Sequence, residues 1–446
     1  MQTESQSALA FSVGHRTVFA IAVPMTLAYL STPLLGVIDM AVIGRLGDAA
    51  LLGGIAIGSV IFDLVFTTFN FLRSGTTGLT AQAYGAKDQT EIRATFLRAL
   101  LIAVAAGVAV ILLQGPFLAI GLKALGGSEE VQQATAQYYL IRVYSAPFLL
   151  INYVVLGWFI GIGRANTGLA LQLLLNGLNI VLSIWFVIGL DWGIAGVASS
   201  TVIAEVTAAA AGLTLVLAAK RGQPWPAMAL VFDRRQLLRM ASLNRDIMIR
   251  SFALLGAFAF FTARSAGQGD TILAANAVLE KLVIVGSYFL DGLATAAEQL
   301  AGRAVGARHR PAFDRAVRLT ALWSFVIAAA ISALFLLLGT HLLDLMTVSQ
   351  DVRATGRDYL VWAALAPVCG VLAYQMDGVF IGATWSRDMR NMMLLSLAVF
   401  VAAYYVLFPL FANHGLWLAL NLFLGLRGLS LAWICRRRAD RTFQPA

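Results

Sequence analysis

Charged side chains are scarce in this chain of 446 residues. Asp, Glu, Lys and Arg make up 12% of it and hydrophobic residues 59%, and the mean hydropathy is +0.80. Soluble domains usually carry about 25% charged residues. The shortage of charge excludes a soluble globular chain and predicts a protein that lies in a membrane.

Cysteine, histidine and nucleotide-binding motifs are also scarce. The two cysteines, Cys369 and Cys435, lie in or at the end of apolar runs, which argues against a disulfide framework and a metal site. There is no GxxxxGK[ST] phosphate loop and no HExxH zinc helix. The four histidines are predicted to lie at helix ends or in loops rather than in one bundle. We therefore expect no metal, no cofactor, no enzyme activity and no motor driven by ATP.

Long apolar runs are abundant instead. A helix needs about 20 apolar residues to cross roughly 30 Å of hydrocarbon, and runs of this length recur along the whole chain. They predict an all-α membrane protein with twelve transmembrane helices. The predicted bounds are 17–43, 51–72, 94–114, 131–160, 169–190, 194–217, 247–264, 274–300, 317–338, 359–381, 392–411 and 416–434.

The placement of basic residues predicts the orientation. With the N-terminus in the cytoplasm, the inner segments hold 23 Lys and Arg and the outer loops hold 5. This asymmetry predicts a multi-pass protein of the bacterial inner membrane with both termini in the cytoplasm. A polar leader precedes the first run, so no cleavable signal peptide is expected. Because topology accounts for the net charge of +9, we expect a lipid bilayer and no nucleic acid as the partner.

The chain contains an internal repeat. Three segments recur in the same order at offsets of 221, 220 and 221: AQAYGAK with GRAVGAR (Ala81, Gly302), YLIRVYSAP with YLVWAALAP (Tyr139, Tyr359), and GWFIG with GVFIG (Gly157, Gly378). Six helices return the chain to its starting side, so the two repeats insert in the same direction. We predict two parallel six-helix repeats related by a pseudo-two-fold axis along the membrane normal.

The repeat predicts the domain organisation. A cytoplasmic leader (1–16) precedes an N-lobe with helices 1–6 (17–219). A cytoplasmic linker (220–246), most simply a solvated or interfacial tether, leads to a C-lobe with helices 7–12 (247–435) and a basic cytoplasmic tail (436–446). Duplicated bundles without a fuel-binding motif indicate a secondary transporter in which the halves rock around a central cavity, functional as a monomer.

The first predicted helix carries an acid, Asp39, inside an apolar run. At the centre of a spanning helix an acid costs roughly 2.5–3.5 kcal/mol, so such acids usually have a task. We predict that Asp39, together with Glu205 of helix 6, takes up and releases protons. Snorkelling to the headgroups or pairing with Arg45 is the alternative for Asp39. Pro24 and Pro33 predict a hinge in the same helix.

Helix 5 carries a polar face opposite this acid. Asn176, Asn179 and Ser183 are spaced by three and four residues and therefore lie on one side of a helix. We predict that this N-lobe polar network hydrogen-bonds Asp39. The alternative is that these side chains only hold neighbouring helices together.

The second half has polar stripes of its own. Its candidates for substrate or cation contacts are Asp377, Tyr374, Asp291, Glu298 and Tyr288. Aromatic rings suit flat apolar compounds and carboxylates suit cations. Mutual neutralisation of charges within the protein is the alternative for the acids.

Several motifs together resemble one family. PLLGVIDMAVIGRLG, GLTAQAYGAKD, NGLNIVLS, GIAGVASSTVIAE, DGVFIGATWSRDMRN and NHGLWLAL are similar to the multidrug and toxic compound extrusion (MATE) transporters, most closely the bacterial DinF-type branch. The resemblance implies twelve helices in two lobes and export of lipophilic, often cationic drugs driven by protons or sodium. It places the family's helix 1 aspartate at Asp39, its helix 5 asparagine at Asn179 and its helix 10 acid at Asp377. Ser183 stands where the family pattern has a second acid.

These observations lead to one mechanism and its rivals. We predict that protonation of Asp39 breaks its hydrogen bonds to the Asn176 and Asn179 face, re-bends helix 1 near Pro33 and expels an amphiphilic, often cationic substrate. Sodium coupling is the nearest alternative. A flippase for polyprenyl-linked sugars or lipids is another, but it would need a cationic cavity, whereas the sequence indicates that the intramembrane charges are mostly acids. A lipid-modifying enzyme would need clustered catalytic groups.

Overall fold

A computed structural model describes residues 11–45, 48–220 and 222–444, so the predicted leader and tail lie partly outside the described residues. Every regular element in these ranges is helical. The α-helices are α1 (His15–Gly44), α2 (Ala49–Thr67), α3 (Phe71–Gly85), α4 (Gln89–Leu112), α5 (Gln114–Leu125), α6 (Glu129–Arg142), α7 (Ala146–Gly161), α8 (Ala165–Ile184), α9 (Gly193–Ala219), α10 (Met228–Val231), α11 (Arg234–Ala266), α12 (Asp270–Gly306), α13 (Arg310–Met346), α14 (Gln350–Gly382), α15 (Ser386–Phe411) and α16 (Asn413–Thr442).

Twelve helical segments of the described residues are long and apolar enough to cross a membrane, which confirms the predicted number. Three of them combine successive α-helices: α2 and α3 form the span Ala49–Gly85, α6 and α7 form the span Glu129–Gly161, and α10 and α11 form the span Met228–Ala266. The largest difference in bounds is at the seventh span, because α11 begins at Arg234 rather than at residue 247. Part of the predicted linker is therefore helical.

Contacts divide the chain into two compact units. The N-unit consists of Leu27–Thr80 and Asp88–Ala241. The C-unit consists of Ser242–Ala446 together with Met1–Thr26 and Ala81–Lys87, as far as these are described. The first turns of α1 and the end of α3 thus group with the second repeat, whereas the predicted lobe boundaries assign both to the first.

The backbone conformation of a connecting turn also recurs in both repeats. Lys87 and Arg308, which are 221 residues apart, both adopt the left-handed conformation (φ 57° and 51°) that non-glycine residues rarely use. At the next position, Asp88 and His309 each cap the following helix by accepting a backbone N–H, from Glu91 at 2.8 Å and from Ala312 at 3.1 Å. The duplication therefore extends to the backbone conformation of the connections.

A reciprocal glycine contact within the C-unit joins equivalent segments of the two repeats. A Cβ atom on Gly85 would overlap the carbonyl group of Arg303, and one on Gly306 would overlap the carbonyl group of Gln82. Gly85 and Gly306 are equivalent in the repeat, and so are Gln82 and Arg303. Equivalent residues thus exchange roles in this contact, as expected for segments that are related by the internal repeat.

Part of the linker, predicted as a solvated or interfacial tether, is docked onto the N-unit. Arg98 of α4 donates hydrogen bonds to the carbonyls of Leu230 at 2.7 Å and Val231 at 3.1 Å, and it pairs with Glu91 at 2.6 Å. The Arg98 side chain is 3% exposed. Because a buried guanidinium needs most of its donors satisfied, this arginine fixes the short helix α10 against α4.

Candidate functional site

Asp39 lies in α1 of the N-unit and is 8% exposed. The hydroxyl of Ser183, from α8, donates a hydrogen bond to Asp39 Oδ1 at 3.1 Å. Within the described residues Asp39 forms no ion pair, and Arg45 in particular does not reach it. The acid is therefore buried with a neutral partner, which is the arrangement in which a carboxyl group can exist in either protonation state.

The two asparagines of the predicted polar network bind other groups. Asn176 donates to Ser31 Oγ at 2.7 Å and accepts from Gln172 at 3.2 Å. Asn179 is fully buried and donates to Thr201 Oγ1 at 3.0 Å. The predicted hydrogen bonds from Asp39 to the asparagine face are therefore wrong for this structure. Ser183, one turn further along the same face, belongs to the same predicted network, and the predicted contact with Asp39 is found for this residue alone.

Glu205 of α9 is 7% exposed and has an amide partner. Asn152 of α7 donates to Glu205 Oε2 at 2.6 Å and to the backbone carbonyl of the same residue at 3.1 Å. One amide thus fixes both the side chain and the main chain of Glu205. Like Asp39, Glu205 is a buried acid held by a neutral donor.

Arg142 is the cation common to the acids of the N-unit. It lies within electrostatic range of Asp39, Asp63 and Glu205. Its own contacts are to neutral groups, since it donates to the Tyr138 hydroxyl at 2.6 Å and lies 4.4 Å from the centre of the Phe62 ring. We call Asp39, Asp63, Glu205 and Arg142 the N-unit charge cluster. It combines three acids with one arginine.

Asp377 of the C-unit, in contrast to Asp39 and Glu205, is held by charged partners. Arg250 of α11 donates to Asp377 Oδ2 at 2.5 Å, and Arg427 of α16 donates to the same oxygen. Asp377 and Arg427 are 7% and 2% exposed, and Asp291 of α12 lies within electrostatic range of Arg427. We call Arg250, Asp377 and Arg427 the C-unit arginine cluster. Its carboxylate already has two cationic partners.

The other predicted C-lobe residues lie around this cluster. Tyr374 is one turn before Asp377 on α14 and packs beside Leu290 and Val371. Tyr288 and Asp291 are half-buried on α12. Glu298 is 2% exposed, and its backbone carbonyl is in close contact with Gly382. None of these contacts identifies a ligand, so their role in substrate binding stays a prediction.

The two prolines of α1 fall in different units. The helix is continuous from His15 to Gly44, and each proline removes one backbone donor from it. Pro24 lies in the part that belongs to the C-unit, and Pro33 lies in the part that belongs to the N-unit. The change of unit, between Thr26 and Leu27, falls between the two proposed hinge residues.

Sequence reasoning missed the buried arginines and the amide partner of Glu205. Arg73, Arg142 and Arg427 lie inside spanning helices, whereas basic residues were considered only for their distribution among loops. Arg250 lies within the predicted seventh helix (247–264), but it was counted among the basic residues of the inner segments. A search for Lys and Arg inside the predicted runs would have found Arg142, Arg250 and Arg427, whereas Arg73 falls one residue beyond the predicted end of helix 2. The intramembrane charges are therefore mixed, not mostly acidic.

Comparison with known proteins completes the description. The model of the MatE family matches residues 24–185 and 247–407, one segment in each repeat. DNA damage-inducible protein F of Escherichia coli (strain K12) is 40% identical over 424 residues, which cover 95% of this chain and 92% of that protein. Multidrug export protein MepA of Staphylococcus aureus (strain NCTC 8325 / PS 47) is 26% identical over 188 residues, 42% of each chain. A solved outward-facing multidrug resistance MATE family transporter of the MOP superfamily superposes with a TM-score of 0.88 at 18% identity, covering 99% of both chains.

Proposed function

This chain belongs to the MatE family, and we propose that it exports lipophilic, often cationic compounds across the bacterial inner membrane in exchange for protons. The family match and the relative that is 40% identical confirm the resemblance to DinF-type MATE transporters. The name of the relative from Staphylococcus aureus, a multidrug export protein, supports small-molecule efflux as the general activity.

The observation that carries proton coupling is the buried contact between Asp39 and Ser183. As a carboxylate, Asp39 accepts the hydrogen bond from the serine hydroxyl at 3.1 Å. As a carboxylic acid it gains an O–H donor and keeps only one neutral carbonyl acceptor, so protonation weakens the hydrogen bond from the hydroxyl or, if the proton lies on Oδ1, reverses its direction. Protonation thereby changes what holds the outer part of α1 against α8, and Pro33, six residues before Asp39, offers a place for α1 to bend.

Charge balance in the N-unit supports cationic substrates. The N-unit charge cluster holds three acids and one arginine, and a second arginine, Arg73, lies within electrostatic range of Tyr153 together with Glu205 and Asp63. One negative charge in excess remains, which a bound cation or a proton can satisfy. Glu205 is the second candidate carrier, since its only hydrogen-bond partner among the described side chains is the neutral amide of Asn152. Asp377 no longer supports a cation contact, because two guanidinium groups already occupy one of its oxygens.

The orientation and the assembly remain proposals that rest on the sequence. Both termini are proposed to be cytoplasmic because basic residues favour the inner segments. The transporter is proposed to function as a monomer. A cysteine introduced at Asp191, in the turn between α8 and α9, should react with an impermeant thiol reagent added from outside the cell, and one at Gln223 should not.

A flippase remains the second candidate function, and one specific observation favours it. The C-unit arginine cluster places two guanidinium groups around a single carboxylate, with all three residues on spanning helices. Guanidinium groups are the usual ligands of phosphates, so a pyrophosphate-linked lipid would find cations there. Failure of every cationic drug as a substrate, together with transbilayer movement of a fluorescent polyprenyl phosphate, would support this function instead.

Drug export should be measured in inside-out vesicles with a pH gradient and a sodium gradient imposed separately. A tenfold proton gradient provides about 1.4 kcal/mol, and each net charge crossing 100 mV contributes about 2.3 kcal/mol. The pH gradient should drive uptake of a cationic dye by the parent, the sodium gradient should not, and Asp39→Asn should lose the response.

Asp191→Asn is the matched control, because it makes the same change at an exposed turn residue with a left-handed conformation that asparagine tolerates. It should transport like the parent. If Asp39→Asn still responds to the pH gradient, the site assignment is wrong, and if only sodium drives uptake, the ion is wrong.

A further inference from the structure

A cavity of about 560 Å³ lies in the C-unit, and none of the charged groups proposed for transport lines it. It is enclosed by the start of α11, the turn between α14 and α15, and the end of α16. Its lining contains four arginines and two acids, namely Arg245, Arg387, Arg390, Arg438, Asp246 and Asp388. A volume of this size falls in the range of sites that hold a small organic group.

The two acids are already engaged by the lining itself. Asp246 accepts hydrogen bonds from Arg390 at 2.7 Å, from Arg245 at 3.0 Å and from the Ser386 hydroxyl at 3.1 Å. Asp388 pairs with Arg438 at 2.5 Å. These contacts leave the lining with two more positive than negative charges.

Arg387 is the freest of these cations. It is exposed at the first turn of α15 and has no ion pair or side-chain hydrogen bond within the described chain. No side chain caps the start of this 26-residue helix, so its first backbone N–H groups and the positive end of its dipole also face this region. Arginines and free N–H groups are together the usual ligands of a phosphate group.

The surface beside the cavity indicates where such a phosphate would come from. Five residues before Arg438 on α16, Trp433 is 62% exposed and lies against Arg437, whose guanidinium carbon is 4.0 Å from the ring centre. Leu429, one turn earlier, is 61% exposed. Exposed leucine, then tryptophan, then arginine along one helix marks the passage from hydrocarbon to headgroups.

We propose that this cavity binds the phosphate headgroup of an anionic phospholipid such as phosphatidylglycerol. The arginines hold the phosphate, and the acyl chains lie along the apolar surface of α16 below Trp433. With the orientation given under the proposed function, this cavity lies at the level of the inner leaflet. The headgroup site itself is independent of what the protein transports.

The test is lipid binding to the purified full-length chain, delipidated in a neutral detergent. Thermal stabilisation is titrated with phosphatidylglycerol and with phosphatidylcholine, and retained lipid is counted by native mass spectrometry. We expect the parent to prefer phosphatidylglycerol. A charge-assisted hydrogen bond to the phosphate contributes at least about tenfold to binding, so the double variant Arg245→Gln/Arg387→Gln should need about 100-fold more phosphatidylglycerol for the same stabilisation.

The control is Arg436→Gln/Arg441→Gln, which removes the same charge from exposed positions of α16 outside the cavity and should change the titration less than twofold. An equal loss in the control would overturn the proposal, because it would show general surface attraction. If inorganic phosphate or glycerol 3-phosphate stabilises the protein as strongly as phosphatidylglycerol does, the cavity binds a soluble phosphate compound and the lipid proposal is overturned. If the double variant does not fold, the single exposed substitution Arg387→Glu is titrated instead, and it should also weaken the stabilisation by phosphatidylglycerol. These readouts use no transport, so they stand whether or not drug export is found.

Discussion

The two repeats share a backbone but not their chemistry. At the repeat offset of 221 residues, Asp39 corresponds to Phe260 and Ser183 corresponds to Tyr404. In the N-unit the first pair is joined by a hydrogen bond of 3.1 Å. In the C-unit the second pair is an edge-to-face contact of two rings whose centres are 5.2 Å apart. The same place in the fold is thus polar in one half and aromatic in the other.

This difference indicates that the two halves have different roles. Close glycine contacts and left-handed turns are duplicated because both halves must pack the same helices. The buried acids are not duplicated, and Asp377 of the C-unit, paired with Arg250 and Arg427, has no counterpart in the first half since residue 156 is leucine. We infer that the acids of the N-unit change charge during transport, whereas the C-unit acid holds its helices together.

The largest expected effect comes from neutralising the C-unit acid. Asp377→Asn leaves Arg250 and Arg427 close together without a counter-charge, and breaking a buried ion pair in this way costs about 3–5 kcal/mol. Asp39→Asn removes no ion pair and should change the free energy of unfolding by less than about 1.5 kcal/mol. Unfolding in mixed micelles measures both. Equal losses would remove the distinction between the two acids, and the double variant Asp377→Asn/Arg427→Gln should recover part of the loss.

The next effect tests the symmetry of the repeats. Gly85→Ala and Gly306→Ala each place a methyl group against a backbone carbonyl, and overpacking of this kind costs about 1–3 kcal/mol. Because the contact is reciprocal, the two losses should agree within about 0.5 kcal/mol. Gly256→Ala, where a Cβ meets open space, is the control and should not destabilise. Thermal unfolding of the three variants compares them, and a large loss from only one of the two contact glycines would contradict the reciprocal contact.

A smaller effect is expected when the partner of Asp39 is removed. Ser183→Ala deletes one neutral hydrogen bond, worth about 0.5–1.5 kcal/mol, so efflux driven by the pH gradient should fall roughly two- to tenfold without being lost. Ser200→Ala removes a buried serine of α9 that bonds only the backbone carbonyl of Val197, and it should leave efflux unchanged. The efflux rate from vesicles is measured for both variants. An unchanged rate for Ser183→Ala would exclude a role for the contact between Ser183 and Asp39 in coupling.

The smallest effect is expected at the equivalent position of the C-unit. Tyr404→Phe keeps the ring that contacts Phe260 and removes only the hydroxyl. Both efflux and its dependence on pH should match the parent, with stability changed by less than about 1 kcal/mol. A shifted pH profile would show that the aromatic pair also takes part in coupling, and the contrast between the two halves would then be wrong.

Much of the fold followed from simple features of the sequence. Hydrophobic runs have a length set by the bilayer, so twelve spans could be predicted, and the repeats at one offset indicated two parallel halves. The docking of the linker could not be predicted, because it depends on Arg98 meeting the carbonyls of residues more than 100 positions away. The early start of α11 was missed because its first turns are polar and give no hydropathy signal.

The site could be predicted only one residue at a time. Asp39, Glu205 and Ser183 stood out because polar groups inside apolar runs are costly. Which of them touch depends on how α1, α7, α8 and α9 cross, and a single sequence does not contain that information. Asn152 and Arg142 were missed for this reason, and Asp377 was interpreted as a cation contact because its partners lie on two other helices.

The most direct test of the coupling mechanism is proton release from the purified transporter when a cationic substrate binds, followed with a pH-sensitive dye in weakly buffered solution. The parent should release protons on binding, and Asp39→Asn should bind the substrate but release fewer. Glu205→Gln, measured in the same way, shows whether the second acid contributes. Equal proton release by the parent and by Asp39→Asn would contradict the assignment of the coupling site to Asp39.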